Sequence, residues 1–202
     1  QVFPRICDDP GDVAFICMTD AAWAIRKGGS SEGGYLILAA DKSVLTRNTL
    51  KCAVIDWRSW KLPRVSRSSL ASEAQAAAGG VGALEYVKVH FSLILDPTLD
   101  TRLNGTMQVL GKSALVVDAK ALYDAAQKPH VHNFDDKRTG IEAQVLKERM
   151  AASSTSWYWV SSGRQFADGV TKVAARQLLA DRLRAGTVSL QLELKSTEHL
   201  GT

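Results

Sequence analysis

Between Pro63 and Pro97 the chain carries one long amphipathic period. Leu70, Ala74, Ala77, Val81, Leu84, Val87 or Lys88, Phe91 and Leu95 recur at three- and four-residue steps. That spacing lines one side of an α-helix. Ser68 and Ser69 stand where N-caps belong. Asp96-Pro97 supplies the stop, because proline disfavours helical backbone in the residue before it. The segment predicts a helix of about seven turns with a single apolar stripe. Gly79, Gly80 and Gly82 are poor helix formers inside it. Either the helix breaks there or the glycines admit close packing on a sheet.

Strand-length apolar runs precede this helix. Val13 to Thr19 ends at Asp20, Gly34 to Ala40 follows a turn at Gly28-Gly-Ser-Ser31, and Lys51 to Trp57 follows a polar turn at 41–48. Short turns between three such runs predict an antiparallel meander. After the helix, 97–112 reads as a loop or insertion. Ser113 to Val117 is a fourth strand ending at Asp118, and Thr155 to Val160 a fifth, rich in aromatics. A short helix from Ala119 to Gln127, a helix capped by Asp135 or Asp136 and running to Met150, and a last helix from Gln165 to Arg184 complete the pattern. The expectation is an α/β domain. Its mixed five-stranded sheet combines a three-strand antiparallel meander with two parallel strands, and helices cover both faces. The fourth and fifth strands pair by a crossover, right-handed by default. The domain spans 13–185, with an N-terminal extension at 1–12 and a C-terminal tail at 186–202.

Composition narrows the function classes. At 202 residues and 46% hydrophobic content the chain is globular and long enough for a real core. It has no apolar run of membrane-spanning length and no secretory signal pattern. Lys and Arg exceed Asp and Glu by 25 to 21, a mildly basic balance that permits a polyanionic partner without demanding one. Cys7, Cys17 and Cys52 show no CxxC spacing. They read as reduced thiols in an intracellular compartment, cytoplasmic or nuclear with an organelle left open, and argue against a zinc site. Gly111-Lys112-Ser113 lacks the upstream glycine of a phosphate loop and precedes a strand instead of following one. His130-x-His132 reads as a surface turn.

The candidate chemistry lies in carboxylates. Asp20 and Asp118 each end a strand, where sites in such sheets collect. Glu73 lies one turn into the long helix, near its apolar stripe, and an inward carboxylate is costly unless paired or bound to a metal. Asp168 lies early in the last helix. Clustered hard oxygens suit Mg²⁺ or Mn²⁺.

Six segments, in order, resemble the ribonuclease H domains of copia-type LTR retrotransposons. Asp20-Ala-Ala-Trp-Ala24 resembles their DADWA motif, and Ser31-Glu-Gly-Gly-Tyr35 their STSGY. Val65-Ser-Arg-Ser-Ser-Leu-Ala-Ser-Glu-Ala74 resembles VSRSSTEAEY, and Val117-Asp-Ala-Lys-Ala-Leu122 resembles CDNxxAL. Asp136-Lys-Arg-Thr-Gly-Ile141 is a variant of RTKHI, and Gln165-Phe-Ala-Asp-Gly-Val-Thr-Lys172 is close to QxADxxTK. The likeness covers about residues 13–180 and departs from the family at Ala119, where Asn is usual, and at Gly140, where His is usual.

The resemblance implies a ribonuclease H-like fold. It implies that Asp20, Glu73, Asp118 and Asp168 hold two divalent ions and act as the catalytic set. It further implies cleavage of the RNA strand of an RNA–DNA hybrid: one metal activates a water and the other stabilises the leaving 3′ oxygen, the two about 4 Å apart. Arg64, Ser66, Arg67 and Lys172 are the candidate contacts to the nucleic acid, and a reverse transcriptase domain upstream of Gln1 is left open. The alternative is a domesticated, inactive domain of this fold, serving as a structural or interaction subunit among neighbouring subunits of a larger assembly. An integrase-like member of the same superfamily fits less well, since those use three acids.

Overall fold

A computed structural model describes residues 5–45, 50–102, 111–128, 134, 136–185 and 187–188. Its first three strands are β1 (Val13–Ala22), β2 (Glu32–Asp41) and β3 (Leu50–Lys61). Each runs antiparallel to the next, with a register shift between Ile37 and Leu38. After helix α1 (Ser69–Leu95), strand β4 (Ser113–Val117) pairs parallel with β1. Helices α2 (Lys120–Gln127) and α3 (Lys137–Ala152) lead to β5 (Thr155–Trp159), which is parallel to β4. The expected mixed five-stranded sheet is present, in the order β5-β4-β1-β2-β3. A two-residue strand β6 (Thr187–Val188) extends it by pairing with Leu50 and Lys51 at the free edge of β3.

Burial on both faces explains why β1 reads as one continuous apolar run. Ala14, Ile16 and Met18 point to one face, where they join Leu36, Leu38, Val116, Phe166, Ala167 and Val170. Phe15 and Cys17 point to the other, with Ile37, Leu115, Val81, Leu84 and Leu146. A central strand covered on both sides has no polar alternation to show. Helices α1, α2 and α3 cover the second face. The first is covered by a short helix α4 (Asp168–Thr171) and by α5 (Arg176–Ala185).

Helix α1 runs unbroken through its glycines. Ser68 caps it, its side chain accepting from the Ala71 amide at 3.1 Å, and Asp96 closes the other end. A Cβ on Gly80 would stand 2.4 Å from Thr19 Cγ2, and one on Gly79 would stand 2.6 Å from the Trp60 ring. The glycines therefore let the helix backbone approach β1 and β3 where any side chain would hold it off. The stripe ends earlier than the period suggests, since Leu95 is half exposed, and Lys88, not Val87, takes the fully buried place.

The helix expected from Gln165 to Arg184 is a correction: it breaks at Lys172, whose backbone is extended (φ −114°, ψ 122°). The break returns α5 across α4, and a Cβ on Gly169 would lie 2.5 Å from Leu179 Cβ. Packing of α5 onto the sheet overrides local helix propensity. No helix among the described residues is long and apolar enough to cross a membrane. Residues 103–110 of the 97–112 segment, Asp135 and the His130-x-His132 pair lie outside the described residues.

Candidate metal centre

Strand β1 reaches beyond β4. The last paired residues are Met18 and Val116, and β4 ends at Val117, so Asp20 to Ala22 continue after β4 has ended. The chain reaches β2 on one side of β1 and β4 on the other, which makes this gap the point where strand order reverses. Asp20 projects there from β1 and is buried. Asp118 follows β4 directly. Glu73 comes down from the first turns of α1, its Oε1 accepting from the Ala21 amide at 3.3 Å. That amide lies past the end of the β1–β4 ladder, where no β4 carbonyl reaches it. One carboxylate oxygen from each of Asp20, Glu73 and Asp118 lies within 4.8 Å of the others.

Asp168 opens α4 beside this trio. Lys172, one helical turn on, bridges the two parts: its Nζ donates to Asp168 Oδ1 at 2.8 Å and to Asp20 Oδ1 at 3.0 Å. The hydroxyl of Thr171 donates to the second oxygen of Asp20. Gly34 makes that contact sterically possible. It pairs with Asp20 across β1 and β2, and a Cβ on it would stand 2.6 Å from Thr171 Cγ2.

The electrostatics are those of crowded acids. Burial, then the charges of Asp20 and Asp118, push Glu73 up to about 9. Asp118 is also raised by burial, against a hydrogen bond from Ser162. Burial raises Asp168 to about 6, although its hydrogen bond to Lys172 pulls the other way. Burial disfavours the charge on Lys172, but the bond to Asp168 and the charge of Asp20 outweigh it and hold the ammonium's pKa up. Glu73 Oε2 is buried and has no hydrogen-bond donor. A buried acceptor without a donor costs about 1–3 kcal/mol. The donor set is all hard oxygen, with excess negative charge and one oxygen unused. These residues fit a divalent cation such as Mg²⁺ or Mn²⁺.

The proposed nucleic-acid contacts are placed unequally. Arg64 forms an ion pair with Glu142. Ser66 is buried, with its hydroxyl accepting from Gln75 Nε2 at 2.9 Å and its carbonyl accepting from Trp23 Nε1 at 3.0 Å. Arg67 is exposed. Lys172 lies inside the acidic cluster.

Sequence reasoning missed two supports of the site. One is Thr171. The other is Gln165, whose buried amide donates to Thr19 O at 2.9 Å and bridges toward Val116 O at the gap between β1 and β4. Both stand in the 165–172 segment, and the four-residue spacing of Asp168 and Lys172 was a readable sign of their pairing.

No protein-family model and no curated protein sequence matches the chain. Among solved structures, ribonuclease H1 of Halobacterium salinarum superposes with a TM-score of 0.51 at 11% identity, covering 81% of this chain and 98% of that one. The N-terminal ribonuclease H domain of a Mycobacterium tuberculosis protein gives 0.48 at 16% identity over 85% of this chain and 99% of that one. LC11 ribonuclease H1 bound to an RNA/DNA hybrid gives 0.48 at 12% identity, covering 83% and 99%. The Halobacterium likeness, together with the strand order, identifies the fold as ribonuclease H-like.

Proposed function

We propose that this chain is a divalent-metal-dependent endoribonuclease of copia-type retroelement origin that cleaves the RNA strand of RNA–DNA hybrids. The observation that carries the reading is the convergence of Asp20, Glu73 and Asp118 at the switch point of a ribonuclease H-like sheet. Asp168 stands beside them.

When bound, Mg²⁺ or Mn²⁺ supplies water activation and charge neutralisation at the scissile phosphate and the leaving 3′ oxygen. The protein's part is to hold the ligands. Asp20 sits on a rigid central strand and is oriented by Thr171 and Lys172. Glu73 is fixed by the Ala21 amide, with its other oxygen buried and free of any donor. Asp118 is placed by Trp159, whose indole donates to the Asp118 carbonyl at 2.9 Å. Of the four residues assigned to nucleic-acid contact, Arg67 is the best suited to touch a phosphate, because its side chain is exposed.

The test is hydrolysis of a labelled RNA–DNA hybrid by purified, folded protein in Mg²⁺ or Mn²⁺. Wild type is expected to cut the RNA strand, and Asp118→Asn to lose at least about 100-fold in rate. Equal inertness of the two would sink the enzyme reading.

A specific feature favours a second reading, a domesticated domain that serves as a subunit. A cleft of about 670 Å³ lies between the sheet and α5, lined mainly by Leu36, Val54, Trp57, Leu179 and Leu183, with Trp57 65% exposed. Exposed apolar surface of this kind is common at protein interfaces. Inert wild-type protein in the hybrid assay would favour this reading.

A further inference from the structure

Lys172 is the one cationic side chain described inside the acidic cluster, and its position is constrained. The backbone amide of Lys172 closes α4 on the Asp168 carbonyl at 2.7 Å, and the chain then turns extended. This aims the side chain back across the helix end, so that Nζ lies between Asp20 Oδ1 and Asp168 Oδ1. The side chain as a whole is 41% exposed while that of Asp20 is 1% exposed. The ammonium sits between two acids while the side chain that carries it keeps contact with solvent.

We propose that Lys172 is a resident counter-ion that occupies the Asp20–Asp168 side of the site and has to leave before a divalent ion can bind there. The proposal rests on the metal-centre reading above and adds that the two cation positions are unequal. An ammonium and a divalent ion cannot share one pair of carboxylates at contact distance, because repulsion between cations about 3–4 Å apart is severe in a partly buried site. Among the described residues, the side formed by Glu73 and Asp118 carries no such competitor. The first ion then binds against Asp20, Glu73 and Asp118. The second must displace Lys172 from Asp168 and from its share of Asp20. Lys172 is a positioning residue in this scheme, holding Asp20 and Asp168 together and oriented in the metal-free protein.

The experiment is a Mn²⁺ titration of the full chain without nucleic acid, reading free Mn²⁺ by electron paramagnetic resonance. Wild type is expected to show one tight and one weaker class of site. In Lys172→Met the weaker class tightens by at least about tenfold, the equivalent of about 1.4 kcal/mol, while the tight class shifts by less than about threefold. Lys172→Gln is titrated in parallel, so that poor folding of one variant leaves the other to decide, and melting in EDTA checks both. A second class in the variants that is no tighter than in wild type, or is lost, overturns the proposal and leaves the metal-centre reading standing. Folded wild type that binds no Mn²⁺, like Asp118→Asn, overturns both.

Discussion

Glu73 and Lys88 lie on the same helix, roughly 22 Å apart along its axis, and both carry their charged ends in toward the sheet. Lys88 is fully buried beside the start of β4. Its Nζ donates to Ser113 Oγ at 3.0 Å and to Ser153 O at 2.6 Å, and Thr155 Oγ1 bonds both Ser113 Oγ and Ser153 Oγ at 2.8 Å. Among the described residues, no buried side-chain oxygen or nitrogen of that group is left without a partner. At the Glu73 end the neighbours are other acids, and Oε2 is left without a donor. A closed buried network specifies packing, whereas one with more acids than cations and a buried oxygen left without a donor is a cost the fold alone does not need. The same helix thus has a structural end and, on the proposed function, an end kept for an incoming cation.

The largest expected effect breaks the comparison at the Glu73 end. Glu73→Gln removes a carboxyl whose pKa is raised in the fold from 4.5 to about 9. Between those pH values the folded state binds a proton that the unfolded state has released. Its contribution to stability therefore falls as pH rises through the window and is constant above it. In EDTA, Glu73→Gln is expected to be more stable than wild type, by roughly 3 kcal/mol at neutral pH, with the gap widening from pH 5 to 9. Hybrid cleavage by the same variant is expected to drop by at least about 100-fold. Denaturant melts across pH, beside the hybrid assay, check both. A variant that loses stability would mark Glu73 as structural after all.

Lys88 gives a smaller effect of opposite slope. Burial lowers its pKa from 10.5 to about 8. Between pH 8 and 10.5 the unfolded state holds the extra proton, so stability is expected to rise with pH there, by up to about 3 kcal/mol. Lys88→Met should flatten that rise and leave Mn²⁺ binding at the distant acids unchanged. The difference between the wild-type and variant stability curves from pH 7 to 10.5 is the measurement. A parallel pair of curves would show that the amine is charged throughout.

The frame of both ends could be read from residue order, because it rests on local signals. Apolar runs bounded by turn residues set the five strands, and Ser68 and Pro97 set α1. Asp20 and Asp118 were visible because each follows an apolar run, and Glu73 because it interrupts a helical stripe. The rest depends on contacts far apart in sequence. Gln165 reaches Thr19 across 146 positions, and nothing near either residue announces it. The break at Lys172 follows from Leu179 packing over Gly169, which local propensity read as one continuous helix. Ser66, expected at the nucleic acid, also anchors Gln75 and Trp23, a role that nothing in its sequence neighbourhood announces, because a serine before a helix serves backbone and ligand equally well.

Gly80 joins the two ends, since it sets how near α1 comes to β1. The Cβ of Gly80→Ala would meet Thr19 Cγ2 at 2.4 Å and Cys17 Sγ at 3.0 Å. Both are core atoms with little room to give, so the helix must shift outward, at a cost of about 1–3 kcal/mol. The shift should carry Glu73 away from Ala21 N and loosen the trio. Expected together are a lower melting temperature and weaker Mn²⁺ binding at the tight class. Gly82→Ala is the control: its Cβ would meet only the end of the Arg149 side chain, at 3.5 Å, and it should stabilise the helix slightly. A Gly80→Ala protein as stable as Gly82→Ala would mean that β1 and α1 are not locked at this point.

The smallest effect tests whether the open end of α1 is held by its cap or by its packing. Ser68→Ala removes the acceptor for the Ala71 amide, a loss of about 1 kcal/mol for a typical cap. Ser72 Oγ also bonds the Ser68 carbonyl and Ser31 Oγ, and Ser31 accepts from the Ala24 amide. The first turn is thus tied to the β1–β2 connection independently of the cap. If those ties hold, the variant loses its cap energy while Mn²⁺ affinity at the tight class moves by less than about twofold. If the cap is what orders the first turn, the turn frays, Glu73 loses its fixed bond to Ala21 N, and affinity falls several-fold with stability. Hydrogen exchange of the Ala71 and Glu73 amides, read beside the Mn²⁺ isotherm, separates the two. The first outcome is expected, because a site that must hold crowded acids together in the metal-free protein needs a helix start fixed by more than one hydrogen bond.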